Sequence, residues 1–432
     1  MATEAAGRSA RYQGFGRQRQ KELLQAWWRR LEAAPETGQP VAYLFISGAV
    51  EEVLRAMGFE VAFPEVTALN CAIRQVSADY ILRAEDLGYS QDVCGYVKND
   101  IGLFLSGNRS PMGRLPRPTL LVCNYAGCRV YIKWFEALAL GYQVPLYVLD
   151  VPYVRTETVL PTDVEYVVGQ LQEFIEFCER LTGRAFDEGR FRTLLANARQ
   201  AEDLWVEVLE MARHVPAPFD AYFEAVYFMA PIYILRGLPE TVDYYEGVRR
   251  EIQERMELGL GPVPEERFRV VVEGPPPWPY LRDFWDMFKA WGAVTVASTY
   301  TKVGGLWDAA GVRHDPARPL ESVAEYAMHC YVNWSLDHRR RLLLDYYRRF
   351  RADGFVIHSV KSCKSFAAGE ADFREAFVKE LDIPTLFIES DLVDPRYFQK
   401  AQLRNRIDAF FEALEHRRVV GISTGGRVTS NG

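Results

Sequence analysis

Residues 119–153 read TLLVCNYAGCRVYIKWFEALALGYQVPLYVLDVPY, and they lay out a complete strand–turn–helix–strand unit. The run from Thr119 is apolar and stops at Gly127. Cys128 follows, and RVYIKWFEALALG then keeps helical spacing. VPLYVLDVPY (144–153) is apolar again. Strands that are apolar on both faces and joined by helices belong to a parallel sheet covered on both sides.

The same alternation continues outward. Upstream, VAYLFISGAV (41–50) reads as a buried strand, and EEVLRAMGF as a helix ending near Gly58. EVAFPEV (60–66) reads as a second strand, and VSADYILRAEDLG as a helix ending at Gly88. Cys94 then opens another helix. Before these, Leu23, Leu24, Trp27, Trp28 and Leu31 form one stripe of an amphipathic helix over 19–34.

Downstream the style changes. Pro161 is followed by Thr162-Asp163-Val164-Glu165, a capping-box pattern. Val164, Val167, Val168, Leu171, Phe174, Ile175, Cys178 and Leu181 follow at helical spacing, with Gly183 as the stop. Alternation resumes with RFRVVVEG (267–274), a stiff PPPW turn, AVTVASTYT (293–301), GFVIHSVKSC (354–363), the helix FREAFVKEL and IPTLFIESD (383–391). Asp394-Pro395 is read as the start of a final helix to about Glu415.

The expected organisation is α/β: two parallel-sheet domains with a helical insert between them. The boundaries are an N-terminal helical segment (1–39), a first α/β domain (40–158), the insert (159–262), a second α/β domain (263–418) and a flexible tail (419–432).

A formal net charge of −7 argues against a nucleic-acid binder. The basic run His338-Arg339-Arg340-Arg341 reads as the solvated face of an amphipathic helix. No apolar run is long enough for a membrane span or a secretory leader, and seven unframed cysteines fit reduced thiols, so a cytoplasmic protein is expected. Neither a GxxxxGK[ST] loop nor a GxGxxG after a strand is present, so nucleotide hydrolysis within the chain and a nicotinamide or flavin site are not expected.

Three cysteines stand where loops open helices: Cys94 in SQDVCGYVK, Cys128 in NYAGCRVYIKWFE and Cys363 in HSVKSCKSF. Helix starts offer free N–H groups and a positive dipole end, an environment expected to lower a thiol's pKa and to suit an anionic metal–sulfur centre. Ligands of open α/β sheets sit beyond the carboxyl ends of the strands, which puts Cys128 and Cys363 at one site between the domains. Cys178, Cys71, Cys330 and Cys123 read as core or helix-face residues. No CxxC pair exists, so spacing alone names no metal.

The segments DVCGYVKNDIG, NYAGCRVYIKWFE with VPLYVLDVPY, GFVIHSVKSCKSF, and IPTLFIESD with AQLRNRIDAFFEAL together resemble the 2-hydroxyacyl-CoA dehydratase and class I benzoyl-CoA reductase subunits. The resemblance runs from about residue 40 to 415. It implies two flavodoxin-like domains and a 4Fe–4S cluster between them on Cys94, Cys128 and Cys363. It also implies a homologous second subunit, an acyl-CoA substrate, and a separate ATP-hydrolysing iron–sulfur activator that delivers electrons singly at low potential. In the dehydratase branch the electron turns the thioester into a ketyl radical anion that loses hydroxyl. In the benzoyl-CoA branch electrons and protons enter the aromatic ring. Such radicals need dry surroundings, which two closing domains supply.

His358, five residues before Cys363 on the same strand and so on its opposite face unless the chain turns, reads either as a structural histidine or as the proton-transfer candidate. Lys361 and Lys364 are candidates to balance cluster charge. Asp150, Glu389 and Asp391 are candidates for helix capping or substrate binding, and Arg129, Lys133 and Arg155 for coenzyme A phosphates. Dehydration and ring reduction both stay open at this point. So do an electron-relay subunit closed by a spare thiol such as Cys123, a double cluster recruiting Cys71, Cys123 or Cys330, and a cofactor-free binding protein.

Overall fold

The computed structural model describes residues 14–45, 50–124, 126–302, 305, 308–309 and 311–421. The expected strand end at 46–49, the first thirteen residues and most of the tail lie outside them. The opening helix, α1 (Phe15–Thr37), buries Leu23, Trp27, Trp28 and Leu31. The Trp27 indole donates to the Val61 carbonyl (2.9 Å), which fixes the helix to the first sheet.

That sheet contains β1 (Val41–Leu44), β2 (Glu60–Ala62), β3 (Leu120–Asn124) and β4 (Leu146–Leu149), all parallel, in the order β2-β1-β3-β4. The helices α2 (Glu51–Ala56), α3 (Pro64–Ile73), α4 (Ser77–Asp86), α5 (Gly95–Leu105) and α6 (Val130–Tyr142) supply the crossovers. The second strand is shorter than expected. It stops at Ala62 because Pro64 takes the first helical position of α3, where its missing N–H costs nothing.

The region between the sheets is helical, with α7 (Pro161–Thr182), α8 (Glu188–Met211) and α9 (Pro239–Glu257). The capping box at Thr162 does not form. Leu160 is the N-cap, Pro161 leads the helix, and no side chain caps it. Gly183 ends α7 at φ 66°, as expected.

The second sheet contains β5 (Phe268–Glu273), β6 (Ala293–Ser298), β7 (Gly354–Val360) and β8 (Thr385–Ser390), again all parallel, in the order β8-β7-β5-β6. Numbered within its own half, that order is 2-1-3-4 read backwards. Both sheets therefore carry the same flavodoxin-like arrangement. Helices α10 (Leu281–Lys289), α11 (Pro319–Met328), α12 (Leu336–Arg349) and α13 (Lys400–Val419) complete this half. Asp394 caps a 3-10 turn, Pro395–Tyr397, rather than the last helix, which begins separately at Lys400.

The basic run on α12 divides. Arg340 and Arg341 pair with surface acids, but Arg339 is buried and donates to Glu273 at 2.7 Å. A parallel bridge between Val154 and Trp334, and the Asn333 amide donating to the Pro152 carbonyl (2.9 Å), tie the two halves together.

Candidate functional site

In a 2-1-3-4 sheet the chain reverses direction between the first and third strands, and ligands bind at that switch point. Cys128 lies four residues beyond β3 and Cys363 three beyond β7, the third strand of each half. Cys94 is the N-cap residue of α5. Cross-half hydrogen bonds join these three loops. The Gly95 N–H donates to Ser362 Oγ (3.1 Å), and Ser365 Oγ donates to the Gly127 carbonyl (3.0 Å). Asp391 fixes the Cys363 loop, accepting from the N–H groups of Ser362, Val393 and Asp394 at 3.0–3.2 Å. Gly95 has no room for a side chain, since a Cβ there would stand 2.9 Å from Asp391 Oδ1.

The three thiols lie within one another's electrostatic reach. Cys94 feels Cys363 and Cys128, and Cys363 feels Cys128. Each sulfur faces N–H groups of its helix start: Tyr96 for Cys94, Val130 and Tyr131 for Cys128, Phe366 for Cys363. Those dipoles favour thiolates, as the sequence suggested, but burial wins. Desolvation, reinforced by the neighbouring sulfurs, pushes Cys94 well above the ordinary thiol range and Cys363 up to about 12. Burial also raises Cys128.

A profile of the family described as 2-hydroxyglutaryl-CoA dehydratase, D-component, matches residues 47–414. The chain belongs to this family. It is 41% identical to a benzoyl-CoA reductase subunit of Thauera aromatica, covering 93% of this chain and 94% of that one. It is 27% identical to the (R)-phenyllactyl-CoA dehydratase alpha subunit of Clostridium sporogenes, covering 88% and 91%. To the (R)-2-hydroxyglutaryl-CoA dehydratase alpha subunit of Acidaminococcus fermentans it is 24% identical, covering 93% and 97%. The family expected from the cysteine segments is thus the one found.

In this member of the dehydratase D-component family the residues present fit an iron–sulfur group. Among the described residues no three His, Cys, Asp or Glu side chains converge on a single metal ion. Thiolates of a cluster bind different irons and need not meet at one point. Three thiols at helix starts, Cys128 buried and Cys94 and Cys363 half-buried, each within the others' electrostatic reach, are that kind of donor set. Of the spare cysteines, Cys123 on β3 feels Cys128, whereas Cys71 lies with Asn99 and Asp100.

The other expected residues sort by geometry. His358 is buried in β7, its Nδ1 donating to the Pro275 carbonyl (2.5 Å) and its Nε2 accepting from Ser390 (2.6 Å). Burial lowers its pKa to about 4. With both ring nitrogens held, the geometry gives a proton-donor role no support. Lys364 donates to the Lys361 carbonyl, and Lys361 lies over the Tyr397 ring. Asp150 accepts from Tyr166 at the surface, and Glu389 is exposed. Lys133 and Arg155 pair with Glu136 and Asp163, and Arg129 is exposed at the N-cap of α6.

Two buried carboxyls were missed. Glu65, in the first turn of α3, acts electrostatically on Tyr96, Tyr131 and Tyr300, and Tyr131 lies in the field of all three thiols. Reading 60–66 as a strand hid it, although Phe63-Pro64-Glu65 carries the Pro-at-N1, acid-next pattern of a helix start. Glu370 is fully buried and acts on Cys363. Burial and the nearby Glu273 raise its pKa to about 8.

Proposed function

We propose that this chain is the cluster-bearing subunit of an enzyme that acts on an acyl-CoA thioester by low-potential, single-electron chemistry, with Cys94, Cys128 and Cys363 holding a 4Fe–4S cluster. The observation that carries the reading is that Cys128 and Cys363, at the switch points of two matched sheets, and Cys94, at a helix start, lie within one another's electrostatic reach. An iron lacking a protein ligand, where a cluster is held by three cysteines, supplies a Lewis-acidic position and an electron.

The chain's own residues do the rest. The helix-start N–H groups of Tyr96, Val130, Tyr131 and Phe366 offset negative charge on the sulfurs. Tyr96, Tyr131 and Tyr300 wall the site with aromatic surface and limit water. The Glu65 carboxyl, buried among these hydroxyls, is the group placed to hold or pass a proton. Ring reduction is favoured over dehydration by the 41% identity to a benzoyl-CoA reductase subunit, against 24–27% to dehydratase subunits. A second subunit is part of this proposal, since the relatives are named as subunits, and so is a separate ATP-hydrolysing activator, which the family resemblance implies.

The test is iron and acid-labile sulfide on protein purified without oxygen. About four of each per chain are expected, lost in Cys94→Ala, Cys128→Ala and Cys363→Ala but kept in Cys178→Ala. Iron-free anaerobic wild type would defeat the reading. Turnover of benzoyl-CoA against a 2-hydroxyacyl-CoA, with the partner and a strong one-electron reductant, then separates the two branches.

A further inference from the structure

We propose that a sealed network of Glu51, Glu52, Glu202 and His314 stores one proton and delivers it toward the thiol site through the hydroxyls of Tyr326, Tyr233 and Tyr300. The proposal rests on the single-electron reading above, because an electron entering a dry site is disfavoured unless a proton follows it.

The network joins α2, α8 and the loop before α11. Helix α2 begins beyond the carboxyl end of β1, on the side of the sheet where the thiols lie. The four named residues, with Arg55 and Arg236, are each at most 3% exposed. Arg55 donates to Glu51 Oε1 (2.7 Å). The Arg236 guanidinium lies 3.5 Å from Glu202 Oε1 and 3.7 Å from Glu52 Oε1. Three carboxylates thus stand against two guanidiniums. One further proton balances them, and an unbalanced charge in this interior is strongly disfavoured.

His314 shows where that proton fits. Its Nδ1 lies 2.8 Å from Glu202 Oε1 and its Nε2 3.5 Å from Glu52 Oε1. Glu52 accepts no hydrogen bond from the described residues. A neutral ring donating to Glu202 turns a lone pair toward the Glu52 carboxylate, and a proton between the two removes that repulsion. Glu51 is a second holder, since burial raises its pKa to about 7 against the pull of Arg55.

The network has a solvent end and an inner end. Asp203 and Arg313, the chain neighbours of Glu202 and His314, form an ion pair at the surface (2.8 Å), so water is one residue away. On the inner side Arg236 donates to the Tyr326 hydroxyl, which lies in the field of Glu202 and Glu52. Tyr233 lies in the field of both Tyr326 and Tyr300, and Tyr300 in that of Glu65 and Cys363. The Tyr300 hydroxyl also stands beside that of Tyr96, two residues beyond Cys94. A hydroxyl both donates and accepts, so a proton passes along such a row while every tyrosine stays neutral. Each electron that the activator delivers to the thiol site then draws one proton inward. The network is left one charge more negative and refills from water.

The experiment counts protons rather than turnover. The full chain with its iron, purified without oxygen, is photoreduced in weak buffer at pH 7 beside a pH-indicator dye. Wild type is expected to take up about half a proton or more per electron, roughly twofold more slowly in deuterium oxide. His314→Asn and Glu52→Gln are expected to lose more than about half of that uptake. Tyr326→Phe leaves the charges in place, and is expected to reach the wild-type extent at a rate roughly fivefold lower. Negligible uptake by iron-replete wild type overturns the proposal and leaves the iron–sulfur reading standing. So does an unchanged extent in folded His314→Asn together with an unchanged rate in Tyr326→Phe. Wild type that is free of iron after anaerobic purification overturns both.

Discussion

Glu370 begins a helical turn with no exposed surface, and among the described residues its carboxyl has the Ser359 hydroxyl nearby but no well-formed hydrogen bond. Its pKa is about 8 in the fold against an ordinary 4.5. Below about pH 4.5 both the folded and unfolded chains keep this proton. Above it the unfolded chain ionises freely while the fold must hold the carboxyl neutral, so this group's contribution to stability is lost as pH rises toward 8. Glu370→Gln should therefore be more stable than wild type at pH 8, by roughly 1–3 kcal/mol, and nearly equal at pH 4.5. Urea midpoints at the two values check this, and equal stability at both would contradict it. Arg339 behaves oppositely. Replacing it by Met leaves the buried Glu273 carboxylate with the Thr299 and Tyr331 hydroxyls but no cation, and should cost about 3 kcal/mol; a denaturation curve showing under 1 kcal/mol would mean that those hydroxyls suffice. Neither residue was legible in the sequence. Arg339 sits in a basic run that looks solvated, and Glu370 acquires its environment only when β5 and β7 come together.

Among the elements, the Cys128 loop depends on Gly127. Its φ is 81°, and a Cβ there would stand 2.6 Å from the Val332 carbonyl oxygen. Gly127→Ala should cost about 2 kcal/mol and reduce bound iron, because the loop that carries the sulfur must move. Gly169→Ala makes the contrast. That position lies within α7 in open space, so alanine should stabilise by roughly 0.5–1 kcal/mol and leave iron untouched. Thermal melts with metal analysis on both variants decide the matter. The core strands could be read directly, because an apolar run bounded by turn residues has few other uses. Helix starts were read less well. At Pro64 and Asp394 a proline marked a boundary, and what followed depended on packing that periodicity does not report.

At the scale of the whole molecule, the position of Cys128 and Cys363 followed from the strand–turn–helix rule, and the placement of Cys94 from its helix start. The family resemblance implied two flavodoxin-like domains, but the pattern of apolar runs alone carried no sign that both sheets have the same strand order, since that is a property of pairing. The two halves meet through Gly95 with Ser362 and Gly127 with Ser365. Removing both hydroxyls with Ser362→Ala and Ser365→Ala should cost about 2 kcal/mol and lower iron content although all three cysteines remain. Full iron in a folded double variant would show that these bonds do not set the alignment.

The supply of two thiols by one half and one by the other has a consequence for dissecting the protein. Neither fragment of a chain cut within the helical stretch between the sheets contains a complete ligand set. Iron uptake on mixing two separately produced pieces would then be a readout of re-pairing, a complementation assay in which colour reports that the halves have found each other.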